Sequence, residues 1–249
     1  MKRGDEVVSI GRGIRWYNHY LDEVDFSKNN GFDFMQIWYQ NGEICINNIP
    51  DPKIEYIKTI GFPVIIHAVF DPIDFELYGN DLLEKVKILG MNEVIIHPVS
   101  KKRKVTADTQ SELVKQAKLF SAKAKKQGVT WYLENNSVID GFHYQPEDIK
   151  RVFEADDYAE QLLDIAHIDN YDHLKEIINV KFPKCLHIAG KHFDAPHEHL
   201  PLSQGDIDYG FVFKKYLPGF SGRVILEVDG TDEEIILSEN IIEQALHTL

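Results

Sequence analysis

Short apolar runs and longer amphipathic segments alternate along the chain from one end to the other. The runs are apolar throughout rather than alternating with polar residues, which is typical of parallel strands covered on both faces. Eight such runs predict strands at 6–14, 32–39, 63–70, 93–99, 130–136, 161–168, 184–190 and 223–230.

Segments with the helical spacing of apolar residues separate these runs. The longest, 107–128, places Leu113, Ala117 and Phe120 at spacings of three and four, which predicts one buried helical face. The stretch 41–52 is predicted to be irregular. The remaining predicted helices are 15–29, 51–61, 80–90, 146–156, 171–180, 208–217 and, as one helix or two, 231–249.

Strands that alternate with helices predict an α/β protein, and the number of strands favours a (β/α)8 TIM barrel. The chain has 249 residues, close to the usual size of one such barrel. Because no linker or low-complexity tract interrupts the pattern, residues 1–249 are predicted to form a single domain. A doubly wound open sheet is the alternative, but its ligands cluster at one crevice, whereas the polar residues described next are spread over many strands.

The last six apolar runs each carry His, Asp or Glu toward their C-terminal ends. Taken alone, a histidine there is more often structural, and a carboxylate more often caps a helix or forms an ion pair. Burying many of them together is costly unless cations or hydrogen bonds compensate them. The joint pattern therefore predicts a metal site at the C-terminal ends of the strands. Its members are His67, His97, Glu134, Asp164, His167, His187 and Glu227.

The polar segment 197–208, HEHLPLSQGDID, adds two histidines to this group. His197 and His199 are two residues apart, so an extended backbone places both rings on the same side. A solvated surface loop is the alternative reading. Long loops at the mouth of a barrel are usually functional, and we therefore predict that both histidines bind metal.

Charge changes this picture in two ways. The net charge of −13 argues against a general nucleic-acid binder, because such binding depends on Lys and Arg at phosphates. One dense basic run follows the predicted fourth strand and is expected to attract a phosphate, a solvated loop being the alternative. Trp38 is predicted to line the same mouth. The basic run consists of Lys101, Lys102, Arg103 and Lys104.

Composition is that of an ordinary globular protein, with 43% apolar and 27% charged residues. No apolar run reaches the roughly 18–20 residues that a membrane span needs, and no signal peptide is expected. Cys45 and Cys185 are the only cysteines and give no disulfide framework, which fits a reducing compartment. The sequence therefore predicts a cytoplasmic protein without a membrane partner.

Five short motifs resemble the xylose-isomerase-like barrel superfamily, which includes endonuclease IV (AP endonuclease family 2) and many sugar and sugar-phosphate isomerases and epimerases. They are LEN, D-x-x-H, HIAG, PLSQGDID and LEV, all in the second half of the chain, and the resemblance runs along almost the whole chain. The resemblance implies a divalent metal held by Glu134, Asp164, His187 and Glu227. Both branches share that set, so it does not distinguish between them.

Additional histidines are similar to those of endonuclease IV, although His197 stands where that family has Asp, and Asp194 is an alternative ligand there. This resemblance implies three metals. In this arrangement the first metal is held by His67, His97 and Glu134. The second is held by Glu134, Asp164, His187 and Glu227. The third is held by His167, His197 and His199.

Other positions depart from the endonuclease pattern. NSVIDGFHY replaces the glycine-rich segment after LEN, the D-T-C-H motif is D-I-A-H, and Ser203 replaces a glycine. These departures count against a DNA-repair enzyme.

Three functional hypotheses remain. The first is phosphoester hydrolysis with two or three Zn or Mn ions, on an abasic nucleic-acid site or a small phosphorylated sugar or nucleotide. The second is isomerisation or epimerisation of a sugar or sugar phosphate with one ion, Glu134 and Glu227 transferring the proton. The third is a metal-binding barrel without catalysis. The additional histidines favour the hydrolase.

Overall fold

The computed structural model describes residues 8–15, 17–45 and 54–247. Within these ranges, eight parallel strands form a ring that closes because β1 pairs with both β2 and β9. The predicted TIM barrel is confirmed. The strands are β1 (Ser9–Gly13), β2 (Phe34–Gln40), the additional β3 (Glu43–Cys45), β4 (Val64–Phe70), β5 (Glu93–Pro98), β6 (Thr130–Glu134), β7 (Glu160–Asp164), β8 (Cys185–Ile188) and β9 (Arg223–Leu226).

Helices cover the outside of the ring, where they pack on the outward-facing apolar side chains of the strands. The longest helix agrees with its prediction, since Thr106 caps its start and Gly128, with φ 69°, ends it in the left-handed conformation. The helices are α1 (Tyr20–Asn29), α2 (Ile54–Ile60), α3 (Pro72–Ile88), α4 (Ala107–Gln127), α5 (Pro146–Ala155), α6 (Tyr171–Val180), α7 (Tyr209–Tyr216) and α8 (Asp232–Leu246).

Helix α3 begins well before the predicted segment 80–90. Asp71 caps it, and the Asp71 backbone N–H donates to Asp74 Oδ2 at 3.0 Å, which completes a capping box. Pro72 occupies the first turn, where its missing N–H is not needed. The Asp-Pro start signal is present in the sequence, but the predicted segment did not include it.

A hairpin replaces part of the stretch predicted to be irregular. Strand β3 runs antiparallel to β2, joined by Asn41 and Gly42, whose φ values are 51° and 88°. An Asn-Gly pair with two positive φ values is the preferred two-residue hairpin turn, so the irregular prediction was wrong for Glu43–Cys45. The predictions for 6–7, Trp16, 46–53 and 248–249 lie outside the described residues.

The barrel interior is built in layers because side chains alternate in and out along a strand. One buried layer consists of Phe34, Ile65, Ile95, Tyr132, Leu162, Cys185 and Ile225. The residue two positions later on each of these strands, or just past its end, is polar. These residues are Gln36, His67, His97, Glu134, Asp164, His187 and Glu227. The strand period thus places a polar layer above an apolar one.

The N-terminal end of the barrel is closed by a paired polar cluster. Arg223 Nε donates to Glu93 Oε2 at 2.7 Å, and the Tyr132 hydroxyl donates to Glu93 Oε1. The Arg223 guanidinium lies 4.8 Å from the centre of the Phe34 ring. Gly11 leaves room for that ring, because a Cβ there would lie 2.5 Å from it. The site must therefore open at the opposite end.

Candidate metal centre

Glu134 lies at the end of β6 among four imidazoles. Its Oε2 is 2.8 Å from His67 Nε2 and 3.1 Å from His97 Nδ1. Its Oε1 is 3.3 Å from His187 Nδ1 and 3.8 Å from His167 Nδ1. Burial alone would raise the pKa of Glu134, but His97, His187 and His67 lower this pKa well below its usual value. Glu134 is therefore a buried anion with both oxygens directed at nitrogen atoms.

Four of the predicted ligands form one compact group. Ligand atoms of Glu134, Asp164, His187 and Glu227 all lie within 4.8 Å of one another. His187 Nδ1 is 3.7 Å from Asp164 Oδ2 and 3.4 Å from Glu227 Oε2. Burial would lower the pKa of His187, but Glu227 and Glu134 raise it well above its usual value. Three carboxylates around one imidazole suit a divalent cation.

A second group consists of His167, His197 and His199, again with ligand atoms within 4.8 Å. His167 Nδ1 lies 2.8 Å from the Asn135 carbonyl and His199 Nδ1 lies 2.9 Å from the Glu227 carbonyl. Since a carbonyl only accepts, each Nδ1 donates, and Nε2 of both rings is left to bind a ligand. The structure thus brings His197 into the position for which Asp194 was the alternative.

The remaining group differs in one member from the set that the sequence implied. The structure gathers His67, Glu134 and His187 within 4.8 Å, whereas the expected set was His67, His97 and Glu134. His97 contacts Glu134 but is not part of that mutual cluster. The difference follows from the barrel geometry, because the rings of His67 and His187 approach to 5.2 Å across the interior.

Several ligand atoms in these groups are buried and have no hydrogen-bond partner within the described part of the chain. They are His67 Nδ1, Asp164 Oδ2 and His167 Nε2. A buried polar atom without a partner costs roughly 1–3 kcal/mol. A bound cation would satisfy these lone pairs, so the residues present fit the divalent metal that the ligand pattern implies.

Two amide side chains hold the ligands in place, and the sequence prediction did not include either as a site residue. Asn135 Oδ1 accepts from the Asp164 backbone N–H at 2.8 Å, and its Nδ2 donates to the Asp164 carbonyl at 3.1 Å. Gln36 contacts both His187 and Glu227. The LEN motif pointed to Asn135, and the inward position of Gln36 two residues after Phe34 could have identified it.

A cavity of about 710 Å³ opens above the polar layer. Trp38 lines it as predicted, with its ring 4.6 Å from the ring of His67. Arg15 also lines it, but its guanidinium is paired with Glu23 and Asp232. The exposed Ile139 lies at its rim.

The basic run divides between the cavity and the surface. Lys101 lines the cavity, whereas Lys102 Nζ is 2.6 Å from Asp74 Oδ1 at the start of α3. Arg103 and Lys104 are exposed and are not among the residues that line the cavity. The structure therefore brings one of the four predicted phosphate-attracting residues to the site.

The chain shares its fold with several solved structures. A family model described as "Xylose isomerase-like TIM barrel" matches residues 24–249. No curated protein matches the sequence. A D-tagatose 3-epimerase-like protein shares 17% identity with a TM-score of 0.77 over 96% of this chain and 97% of that chain.

None of the helices in the described ranges combines the length and apolar character that a bilayer crossing requires.

Two further structures are similar over most of their length. The TTHB071 protein from Thermus thermophilus, soaked with ZnCl2, shares 15% identity with a TM-score of 0.71 over 95% of this chain and 99% of that chain. An AP endonuclease, family 2, from Brucella melitensis shares 14% identity with a TM-score of 0.69 over 94% of this chain and 99% of that chain. At these identities the likeness concerns the fold.

Proposed function

The chain belongs to the xylose isomerase-like TIM barrel family, as its motifs suggested, and from that premise we propose that it is a phosphoester hydrolase dependent on two or three divalent metal ions, Zn or Mn. The observation that carries the proposal is the group of His167, His197 and His199 beside the four-residue group. A single-metal isomerase needs the four-residue group alone. Imidazole ligands favour Zn over Mg or Ca, and the carboxylates of the four-residue group also suit Mn.

Glu134 has a central role in this proposal. It belongs to two of the ligand groups, and its two oxygens face different imidazoles, so it can serve as a bridging ligand. When bound, divalent ions lower the pKa of water and stabilise charge on a phosphoryl group. Asp164 and Glu227 complete the anionic ligand set, while the imidazoles of His67 and His97 hold the Glu134 carboxylate in position.

A small phosphorylated sugar or nucleotide suits the site better than abasic DNA. The cavity of about 710 Å³ lies in the range typical of small-molecule sites. The net charge of −13 disfavours a polyanion. Lys101 supplies a positive charge at the rim, where it can attract one phosphate group.

Sugar isomerisation or epimerisation is the second candidate, and one observation favours it. Glu134 Oε1 and Glu227 Oε2 lie 3.3 and 3.4 Å from the same His187 Nδ1. Two carboxylates on either side of a single metal site could move a proton on and off carbon. The histidine group would then bind sugar hydroxyls.

Metal content per chain separates the two candidates. We would measure it by elemental mass spectrometry on protein purified without chelator or immobilised nickel. The hydrolase proposal expects two or three Zn or Mn per chain, and fewer in His199→Ala but not in the control His247→Ala, an exposed histidine at the end of α8. One ion per chain, unchanged in His199→Ala, would reject the hydrolase in favour of the isomerase. A screen of small phosphoesters and abasic DNA would follow.

A further inference from the structure

Gln36 is buried in the middle of β2 and hydrogen-bonds to two of the candidate ligands. It is fully shielded from solvent and pairs in register with Gly13 of β1 and Ile65 of β4. Its side chain crosses the barrel interior to residues that are 151 and 191 positions away in sequence, His187 and Glu227. Both ends of its amide are thus engaged on ligand residues, which packing alone does not require. We propose that Gln36 is a positioning residue that selects which nitrogen of His187 and which oxygen of Glu227 face the metal centre.

The orientation of the Gln36 amide follows from its partners. Gln36 Nε2 donates to Glu227 Oε1, and Gln36 Oε1 lies 2.8 Å from His187 Nε2. The reverse orientation would place the amide oxygen against a carboxylate oxygen, and both atoms only accept. The amide nitrogen must therefore face Glu227, and His187 Nε2 must carry the proton that the amide oxygen accepts.

This arrangement fixes one ligand atom on each partner. With Nε2 of His187 engaged, Nδ1 is the nitrogen directed at Glu134, Asp164 and Glu227, at 3.3, 3.7 and 3.4 Å. With Oε1 of Glu227 engaged, Oε2 is the oxygen left for a metal. Outer partners of this kind typically change metal affinity by about 10–100-fold when they are removed.

The chain offers a matched control in Gln161. This glutamine is also buried in a barrel strand, β7, and neither polar atom of its side chain has a hydrogen-bond partner among the described residues. Replacing Gln161 by Met removes a buried amide of the same size from the same type of element without touching a candidate ligand. A general effect of losing a buried glutamine would appear in both variants.

Two substitutions test the His187 contact of Gln36. Gln36→Met keeps the length of the side chain and removes both hydrogen bonds. Gln36→Glu keeps an acceptor for His187 Nε2, while its carboxyl group and that of Glu227 are expected to share one proton. The tautomer of His187 should therefore survive in Gln36→Glu and be lost in Gln36→Met, while the fold of each variant is checked by circular dichroism.

The experiment measures Zn2+ affinity by titration calorimetry with a competing chelator. Two-bond 1H–15N correlation spectra of the Zn2+-loaded protein then report the tautomer of each histidine. The signals of His187 are assigned because they disappear in His187→Gln. We expect Nε2-protonated, Nδ1-bound His187 in the wild type, Gln36→Glu and Gln161→Met. Gln36→Met should bind Zn2+ about 10–100-fold more weakly and lose this signature. Unchanged affinity and tautomer in Gln36→Met, or an equal loss in Gln161→Met, would overturn the inference.

The inference rests on the proposed metal site, but the two can fail separately. If the wild type binds no Zn2+, the proposed function fails. The tautomer of His187 in the metal-free protein, measured at a pH where the ring is neutral, would then still test Gln36. An Nε2–H signature there that disappears in Gln36→Met supports the positioning role, and an unchanged signature contradicts it.

Discussion

The two ends of the barrel interior both contain charged side chains, but among the described residues of these two groups only those at the open end include atoms without a hydrogen-bond partner. At the closed N-terminal end, Glu93 is bound by Arg223 and by the Tyr132 hydroxyl. At the open end, Asp164 Oδ2 and His167 Nε2 are buried with no hydrogen-bond partner among the described residues. A set of mutually paired charges leaves no atom free for a ligand, whereas ligand-type atoms that lack hydrogen bonds and lie close together can bind a cation.

The contrast is present within a single strand. Tyr132 and Glu134 are two residues apart on β6 and both point into the barrel. Tyr132 reaches down to Glu93, while Glu134 reaches His67, His97 and other imidazoles. The position along the strand, and not the residue type alone, therefore decides whether a polar side chain serves the fold or the site.

The largest expected effect comes from removing the shared carboxylate at the open end. Glu134→Gln should lower metal-dependent activity by more than about 100-fold, beyond the usual effect of losing an outer partner, because it weakens two ligand groups. It should also reduce the metal content measured by elemental mass spectrometry. Full metal content and full activity in Glu134→Gln would show that Glu134 is not an essential metal ligand.

Addition of metal should stabilise the open end and thereby the whole protein. Zn2+ at about 100 times its Kd contributes about 2.7 kcal/mol to the free energy of unfolding if it binds only the folded state. For a chain of this size that corresponds to a rise in Tm of about 5–10 °C. Differential scanning calorimetry of chelator-treated protein, with and without Zn2+, measures it, and an unchanged Tm would count against a preformed site.

Protons should compete with metal at the open end. The pKa values of His187, His97 and His199 are raised because Glu134, Glu227 and Asp164 outweigh the effect of burial on these rings. Metal must displace these protons, so Zn2+ affinity should fall as pH is lowered through the raised pKa values, by about tenfold per pH unit for each proton displaced. Calorimetry in buffers of different ionisation enthalpy counts the protons, and a pH-independent affinity would contradict the account.

The same raised pKa values predict the direction in which the stability of the metal-free protein changes with pH. For His187, the proton stabilises the metal-free folded state fully below the unfolded pKa, and this contribution is lost as pH rises through the folded pKa. Metal-free protein should therefore lose stability at alkaline pH relative to the Zn2+-loaded protein. Denaturant unfolding at several pH values measures this difference.

The smallest expected effect is at the closed end. Glu93→Gln should lower the free energy of unfolding by about 1 kcal/mol, because the Glu93–Arg223 pair is partly exposed and its strength is screened. Its Zn2+ affinity should match the wild type. A fall in Zn2+ affinity similar to that of Glu134→Gln would show that the two ends are not independent.

Much of this organisation was predictable from the sequence because it depends on the short repeats with which apolar and polar residues alternate along strands and helices. Apolar runs indicated the ring of strands, and the polar residue at the end of each run indicated Glu134, His187 and the other inward-facing ligands. The structure gathers His67 and Glu134 with His187 rather than with His97, because distances across a barrel do not follow from spacing along a strand.

The division of the basic run between the cavity and the surface has a specific physical cause. The backbone N–H groups of Lys101 and Lys102 both donate to the Asp71 carboxylate at 3.3 Å, and Lys102 pairs with Asp74. These contacts exist only because α3 begins at Pro72, a start that the predicted helix 80–90 did not include. The side chain of Lys102 is thus directed to the start of α3 and not to the cavity.

Anomalous scattering at the zinc edge from crystals grown with Zn2+ would test the central claim most directly, because it locates each ion. The account predicts two or three peaks at the open end, one of them about 2.0–2.1 Å from the nitrogens of His167, His197 and His199. A single peak on Glu134, Asp164, His187 and Glu227, with no ion on the histidine group, would contradict it.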